Sequence, residues 1–536
     1  MSSPVETPLV LGPMLRYVDT TTATVWLQTS TPCRVRVVAG HCAGSGRTFA
    51  VHGHHYALID VTGLTPGTLT PYTVCIDDEP VWPRHDADLP APTIRTADDR
   101  ASLRLLWGSC RRAAGDDEAA TAAHGVDALR SYALQLAAAQ SAGRAADDGS
   151  PWPNQLLLLG DQIYADAPSE PMREFIDSRR DASRAPGHEL ADFTEYAQAY
   201  RLAWSEPVIA WLLSCVPSMM IFDDHDVRDD WNTSAAWRDQ MRATSWWRAR
   251  IVSGLSSYWI YQHAGNLSPR QRSTDMFGRL AAEATESGAD IGARFDELAA
   301  AIDDDPECYS FSYARQLASV TFVMLDSRCG RVLEPGKRDM LNEPTWQWME
   351  RQLTGGSSDD SDRAPTDRAP TDRAPTDRAS TNPAPRHLVI ASSLPVLLPP
   401  TLHYAEQWNE AVCDGAWGSR FGRLAERLRQ AIDLEHWSAF RRSFHHLFGL
   451  IAEVATGQHG RQPSSIQLLG GDVHFSYLMR ATLCAPPATN TPQPVSPIYQ
   501  LVCSPTRNPM ARWMKYANFL AAWRWPIGLA RLVART

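Results

Sequence analysis

Five short apolar runs in this sequence end in residues that bind metals or phosphates, and that recurrence limits the fold more than any other feature. Leu103–Trp107 leads into Gly108-Ser109-Cys110-Arg111-Arg112, and Leu156–Leu159 into Gly160-Asp161-Gln162-Ile163-Tyr164-Ala165-Asp166. Met219–Phe222 ends in Asp223-Asp224-His225-Asp226-Val227-Arg228-Asp229-Asp230. Val320–Leu325 leads to Asp326-Ser327-Arg328, and Ile466–Leu469 to Gly470-Gly471-Asp472-Val473-His474. The length, β-branched content and polar flanks of these runs suit buried strands, and Leu388–Ile390 and Ile498–Val502 read the same way. Helical stretches fall between them, at Phe193–Leu213, Ala235–His263, Thr345–Leu353 and Phe421–Thr456. An α/β unit is therefore expected over residues 98–510. The tryptophans of its helices (Trp237, Trp246, Trp247, Trp259) read as core or lid packing rather than a ligand box.

One such strand end means little. A single aspartate there is ordinarily a turn or helix cap, and a single cysteine is ordinarily a small core residue. The run Asp223-Asp224-His225-Asp226 is different, because its carboxylates crowd around one imidazole. Like charges at that density repel, and a bound cation is the simplest thing that makes the cluster favourable. Aspartate oxygens suit hard cations such as Ca²⁺, Mg²⁺ or Mn²⁺, whereas imidazole and thiolate suit zinc or iron. Tyr164 follows Asp161 closely enough to bring a phenolate, a good partner for Fe³⁺, to the same ion. A mixed site, one iron-like and one harder divalent ion, fits these donors better than a single zinc.

Residues 1–97 have another texture. Thr21–Gln28, Arg34–Val38 and Tyr72–Ile76 are rich in β-formers with Gly and Pro between them, and Thr93–Thr96 closes the module. Val61–Val74 (VTGLTPGTLTPYTV) resembles the late strands of fibronectin type III sandwiches. Tandem DRAPT-like units run from Asp362 to Ser380 within a polar stretch at about 355–385. Such a segment cannot bury enough apolar surface to offset its ordering entropy, so an exposed, disordered insertion is expected. The last stretch, 511–536, carries Arg512, Lys515, Arg524, Arg531 and Arg535 among aromatic and aliphatic residues, with no acid. It reads as a basic amphipathic segment suited either to packing on the catalytic unit or to peripheral contact with an anionic membrane.

Composition narrows the functional classes. The 536 residues carry a net charge of −10, which argues against a broad nucleic-acid-binding surface. Ten cysteines without a CxxC pair exclude a disulfide scaffold, a zinc ribbon and a dithiol redox motif. The N-terminal residues show no signal peptide or twin arginine, and no apolar run is long enough to span a membrane. A cytoplasmic protein with reduced thiols and no obligate protein partner is expected.

Taken in order, GSC, GDQIYAD, DDHD, LDSR and GGDVH resemble the alkaline phosphatase D (PhoD-like) branch of the calcineurin-like metallophosphatases. GDQIYAD is also similar to the GDxxYAD element of purple acid phosphatases. The resemblance implies an α-β-β-α sandwich catalytic domain behind the β-sandwich, with Fe³⁺ and Ca²⁺ as cofactors and Mn²⁺, Mg²⁺ or Zn²⁺ as alternatives at the second site. It implies that Asp161 bridges the metals, that Tyr164, Cys110 and Asp472 complete the iron side, and that Asp224 and His474 hold the second ion. His225 is implied beside the scissile phosphate and Arg328 on a phosphate oxygen, with Asp226 and Asp230 as support for the second site. Asp229-Asp230 stand where relatives often carry an Asn pair.

The activity implied is hydrolysis of small phosphomonoesters or phosphodiesters, with a hydroxide shared by two metals attacking phosphorus in line. One alternative keeps this core and directs it to phospholipid diesters through the C-terminal segment. A second is a non-catalytic scaffold stabilised by metals. A Ser-His-Asp or Cys-His hydrolase fares worse, since there is no GxSxG elbow and Ser109-Cys110 is followed by two arginines.

Overall fold

The computed structural model describes residues 8–84, 88–98, 101–144, 152–354, 387–483 and 495–510, together with positions 515 and 531. The repeat stretch at 355–385 and nearly all of 511–536 lie outside the described residues.

The first nine strands are β1 (Leu9–Val18), β2 (Thr22–Thr29), β3 (Arg34–Ala39), β4 (Cys42–Arg47), β5 (Phe49–Val51), β6 (His54–Thr62), β7 (Leu69–Ile76), β8 (Glu79–Trp82) and β9 (Thr93–Arg95). They form two antiparallel sheets, ordered β1-β2-β6-β5 and β4-β3-β7-β8, with β9 paired to β7. Alternation decides what each face does. In β2, Ala23, Val25 and Leu27 join Val35, Val37 and Val74 in a core between the sheets. Trp26, on the opposite face, joins Leu11, Met14 and Tyr56 in a second core shared with the α/β unit.

The α/β unit holds two further sheets. β10 (Leu105–Gly108), β11 (Gln155–Leu159) and β12 (Ser218–Ile221) are parallel. β13 (Tyr313–Leu317), β14 (Val320–Leu325), β15 (His387–Ser392), β16 (Ser465–Gly470), β17 (Tyr477–Ala481) and β18 (Ile498–Val502) form a mixed sheet ordered β13-β14-β15-β16-β18-β17. Its inner strands are parallel and its edges antiparallel. The period of two again assigns the layers: Leu157, Leu159, Met219 and Ile221 meet Phe322, Met324, Val389 and Ala391 between the sheets. Leu156, Leu158 and Met220 face outward to one helical layer, and Val323, Leu325, Leu388 and Ile390 to another. The result is helix on sheet on sheet on helix, with the carboxyl ends of the parallel strands of each sheet gathered at one edge, where α/β proteins commonly place ligands.

The strand readings match to within about three residues at each end. The long helices do not. Phe193–Leu213 is two helices, Phe193–Trp204 and Pro207–Cys215, because Pro207 starts a new one at its first turn. Ala235–His263 breaks between Arg242 and Trp247. Phe421–Thr456 breaks between Ser419–Ala431 and Arg441–Ala455, across an irregular segment that includes Asp433 at φ 50°. Among the described residues no helix is long and apolar enough to cross a membrane.

Candidate metal centre

The strand-end residues meet. Donor atoms of Cys110, Asp161 and His474 lie within 4.8 Å of one another, as do those of Asp161, Asp224 and His225, and those of Asp223, Asp224 and Asp472. Asp161 and Asp224 each belong to two of these groups. Tyr164 is buried beside them, its hydroxyl accepting from Asn508 Nδ2 at 3.0 Å and its ring 4.8 Å from that of His225.

Backbone geometry delivers these side chains. Cys110, Asp161, Asp230, Asp472 and His474 all have φ between 50° and 64°, a left-handed conformation that non-glycine residues seldom adopt. Such strain persists only where the surroundings over-determine it, and it concentrates at functional sites. Gly160 and Gly471 let the strand ends crowd together: a Cβ on Gly160 would sit 2.6 Å from Asp223 Cβ, and one on Gly471 2.4 Å from Ser109 Oγ. Asp226 fixes the loops rather than supporting a second ion. Its carboxylate accepts from the backbone N–H groups of Asp161, Gln162, Ile163 and Asp223, at 3.0 to 3.3 Å.

Arg328 also departs from its expected place. Its side chain is fully buried, with Nε donating to Asp223 at 2.5 Å, Nη1 to Glu435, and Nη2 3.3 Å from Asp224. A guanidinium held in this way is a counter-charge beneath the carboxylates, not an arm open to a phosphate. The metal groupings differ from expectation as well. His474 lies with Cys110 and Asp161, and Asp472 with Asp223 and Asp224. Asp230 is packed beside Asp224, its N–H donating to Asp224 Oδ2 at 2.9 Å.

Several partners escaped the sequence reading. Asp166, the last residue of GDQIYAD, accepts from His225 Nδ1 at 2.9 Å. His436 sits between Glu406 (2.7 Å) and Asp472 (3.0 Å), a carboxylate–imidazole–carboxylate chain ending on a candidate ligand. Both arrangements have the form of the outer hydrogen bonds that orient metal-site side chains. The motif put Asp166 in plain view; nothing local in the sequence pointed to Glu406 or His436.

The electrostatics favour a cation. Burial above all, reinforced by neighbouring carboxylates, holds Asp161 and Asp223 well above the usual carboxylate range and Asp230 at about 9. Burial likewise lifts the Cys110 thiol. Burial pushes His225 down, but Asp166 and Asp224 outweigh it and the ring is held well above its ordinary value. Asp161 Oδ1, Asp224 Oδ1 and Asp230 Oδ1 are buried without a hydrogen-bond partner among the described residues. Each such oxygen costs roughly 1–3 kcal/mol if left unpaired. The donors therefore fit a metal pair: a thiolate, an imidazole and a phenolate on one side, carboxylates on the other, and orphaned oxygens between.

Comparison with known proteins bears on the same region. Residues 141–281, which include GDQIYAD and DDHD, match the family model for PhoD-like phosphatases. A solved structure described as "Structure of PhoD" superposes with a TM-score of 0.55 at 12% identity, over 94% of this chain and 78% of that one. Over residues 141–281 the chain is similar to PhoD-like phosphatases. The likeness of fold to that structure extends across nearly the whole chain. Residues 6–94 match a domain of unknown function, DUF7800. No curated protein matches it.

Proposed function

We propose that this PhoD-like chain hydrolyses phosphoesters at the centre where Cys110, Asp161, Asp224, His225, Asp472 and His474 converge. The observation that carries the reading is that Asp161 belongs to two of the donor groups while its Oδ1 is buried with no hydrogen-bond partner among the described residues. In this reading the catalytic part is a metallophosphatase-type α-β-β-α sandwich and the first module is fibronectin III-like. Cys110, Asp161, Tyr164 and His474 hold Fe³⁺; Asp161, Asp224 and Asp472 hold Ca²⁺ or a related divalent ion. When bound, the cations supply Lewis acidity toward the phosphoryl group and toward water.

The chain's own residues do the rest. Asp166 fixes His225 through Nδ1, which leaves Nε2 to donate to a phosphoryl oxygen or to carry a proton to the leaving group. Asp229 lies 3.6 Å from that nitrogen, on the open side of the ring. Arg328 lies against Asp223 and Glu435 beneath the site and offsets part of their charge. His436 and Glu406 hold Asp472 in one orientation.

Side-by-side turnover of 4-nitrophenyl phosphate and bis(4-nitrophenyl) phosphate, with Ca²⁺ and with chelator, tests the reading. Chelator-sensitive hydrolysis is expected, and the ratio of rates sets monoester against diester. Asp161→Asn is expected to lower turnover by several orders of magnitude while circular dichroism stays unchanged; a variant with near wild-type turnover removes the arrangement.

A further inference from the structure

The helix Ser419–Ala431 turns an apolar stripe to the outside. Phe421 is 53% exposed and Leu424 63%, and with Leu428 they recur at helical spacing on one face. Trp417 and Ile432 extend the stripe at its two ends. The other large exposed apolar residues among those described, Val126, Leu134, Leu478 and Val495, lie on separate elements. Exposed Arg420, Arg423 and Arg427 run beside the stripe at the same spacing. The helix's one carboxylate, Glu426, is engaged by Ser234 and by Arg429 at 3.1 Å, and Arg429 is itself buried against Glu410. An apolar band edged by three exposed arginines, none paired with a carboxylate among the described residues, is thus what the outer face offers.

Three occupants compete for such a face. A second copy docked about a two-fold axis would set arginine rows against each other. The segment 511–536 is basic and has no acid, so it is repelled in the same way. An anionic bilayer satisfies both features, since the acyl boundary takes the stripe and the phosphate headgroups take the arginines. We propose that Ser419–Ala431 is an interfacial helix that docks the protein on an anionic lipid surface. The helix leads directly into Asp433, Glu435 and His436, and Gln430 and Glu426 bond the Ser234 loop that follows Asp230, so docking sets the metal centre beside lipid headgroups. Using those lipids as substrate rests on the phosphoesterase reading; the docking does not.

The test sediments the full-length, metal-containing protein with vesicles of phosphatidylcholine alone or mixed with phosphatidylglycerol. Binding to the mixed vesicles only, weakened by salt, is expected. The double variant Phe421→Glu, Leu424→Glu should weaken that binding by about tenfold or more, with turnover of soluble bis(4-nitrophenyl) phosphate unchanged. No binding at low salt overturns the proposal. So does binding that survives the double variant but vanishes on removal of 511–536, and so does self-association that the double variant abolishes in light scattering. Binding without turnover of any soluble ester would leave the docking standing and remove the phosphoesterase reading.

Discussion

At the scale of single residues, several candidates at the centre are held by partners outside it. Asp166 illustrates this: it is almost fully buried, its carboxyl accepts from His225 Nδ1 and from the Asp229 N–H at 2.7 Å, and its pKa is lowered to about 2. Burial alone would raise it, so the bonded imidazole and amide decide the sign. Asp166→Asn keeps the volume but offers the ring an amide, and outer-sphere changes of this kind cost roughly 10–100-fold in activity or metal affinity. Turnover is therefore expected to fall by about that factor, with metal content by elemental analysis showing whether the loss lies in binding or in the proton transfer. Tyr164 makes a separate demand. If its phenolate binds Fe³⁺, the iron-loaded protein is coloured, and Tyr164→Phe is expected to bleach the visible band while iron remains bound. A colourless wild type with full iron would remove Tyr164 from the ligand set.

At the scale of elements, what could be read from the sequence was whatever depends on short-range pattern. Seven strands of the α/β unit are legible because each is a brief apolar run with polar ends, and Cys110, Asp161, Asp224 and Asp472 stand just past the ends of four of them. The helix breaks were not visible, since amphipathic spacing continues across them. That error hid the segment between Ala431 and Arg441, which carries Glu435 and His436 to the centre. Arg328 was found but misplaced, because only tertiary packing shows whether a guanidinium faces solvent or buried carboxylates. The five-residue π-helical stretch Trp259–His263, directly after Trp247–Tyr258, carries an element-level prediction. His263 is buried among the rings of Tyr258, Tyr309, Phe311 and Tyr313, with Nδ1 lacking a hydrogen-bond partner among the described residues. Burial, then Arg16, depresses its pKa to about 3. The unfolded chain takes up this proton near pH 6.5, so stability falls as pH drops below that value, by about 1.4 kcal/mol per unit until the folded pKa is reached. His263→Phe is expected to reduce the fall in urea midpoint between pH 7 and pH 4.5; an identical fall in both proteins would show that His263 does not set it.

At the scale of the whole molecule, the β-sandwich and the α/β unit share a core and a polar lock. Arg16 leaves β1 fully buried, with Nη1 donating to the Tyr261 carbonyl at 2.8 Å and Nη2 to the Gln262 carbonyl at 2.6 Å and to Asn266 Oδ1 at 3.1 Å. Asn266 in turn holds Met220 of β12, accepting from its N–H at 2.9 Å and donating to its carbonyl at 2.7 Å. β12 is the strand that ends in Asp223 and Asp224, so a residue of the first sheet reaches the metal centre through one side chain and one strand. The surrounding packing is close: a Cβ on Gly265 would come within 2.6 Å of Arg16 Nε. Tyr261 adds a hydrogen bond to Gln28 and another with Tyr56, both at 3.0 Å. Arg16→Met keeps most of the apolar stem and removes the donors, which leaves two buried carbonyls and the Asn266 oxygen with fewer partners. At about 1 kcal/mol per lost bond, and more for groups left unsatisfied, the cost is about 3 kcal/mol or above. A lower urea midpoint is expected together with reduced turnover, because Asn266 no longer pins β12. If the midpoint falls while turnover per folded molecule is unchanged, the sandwich steadies the chain without positioning the DDHD strand, and the coupling between the two units is purely one of packing.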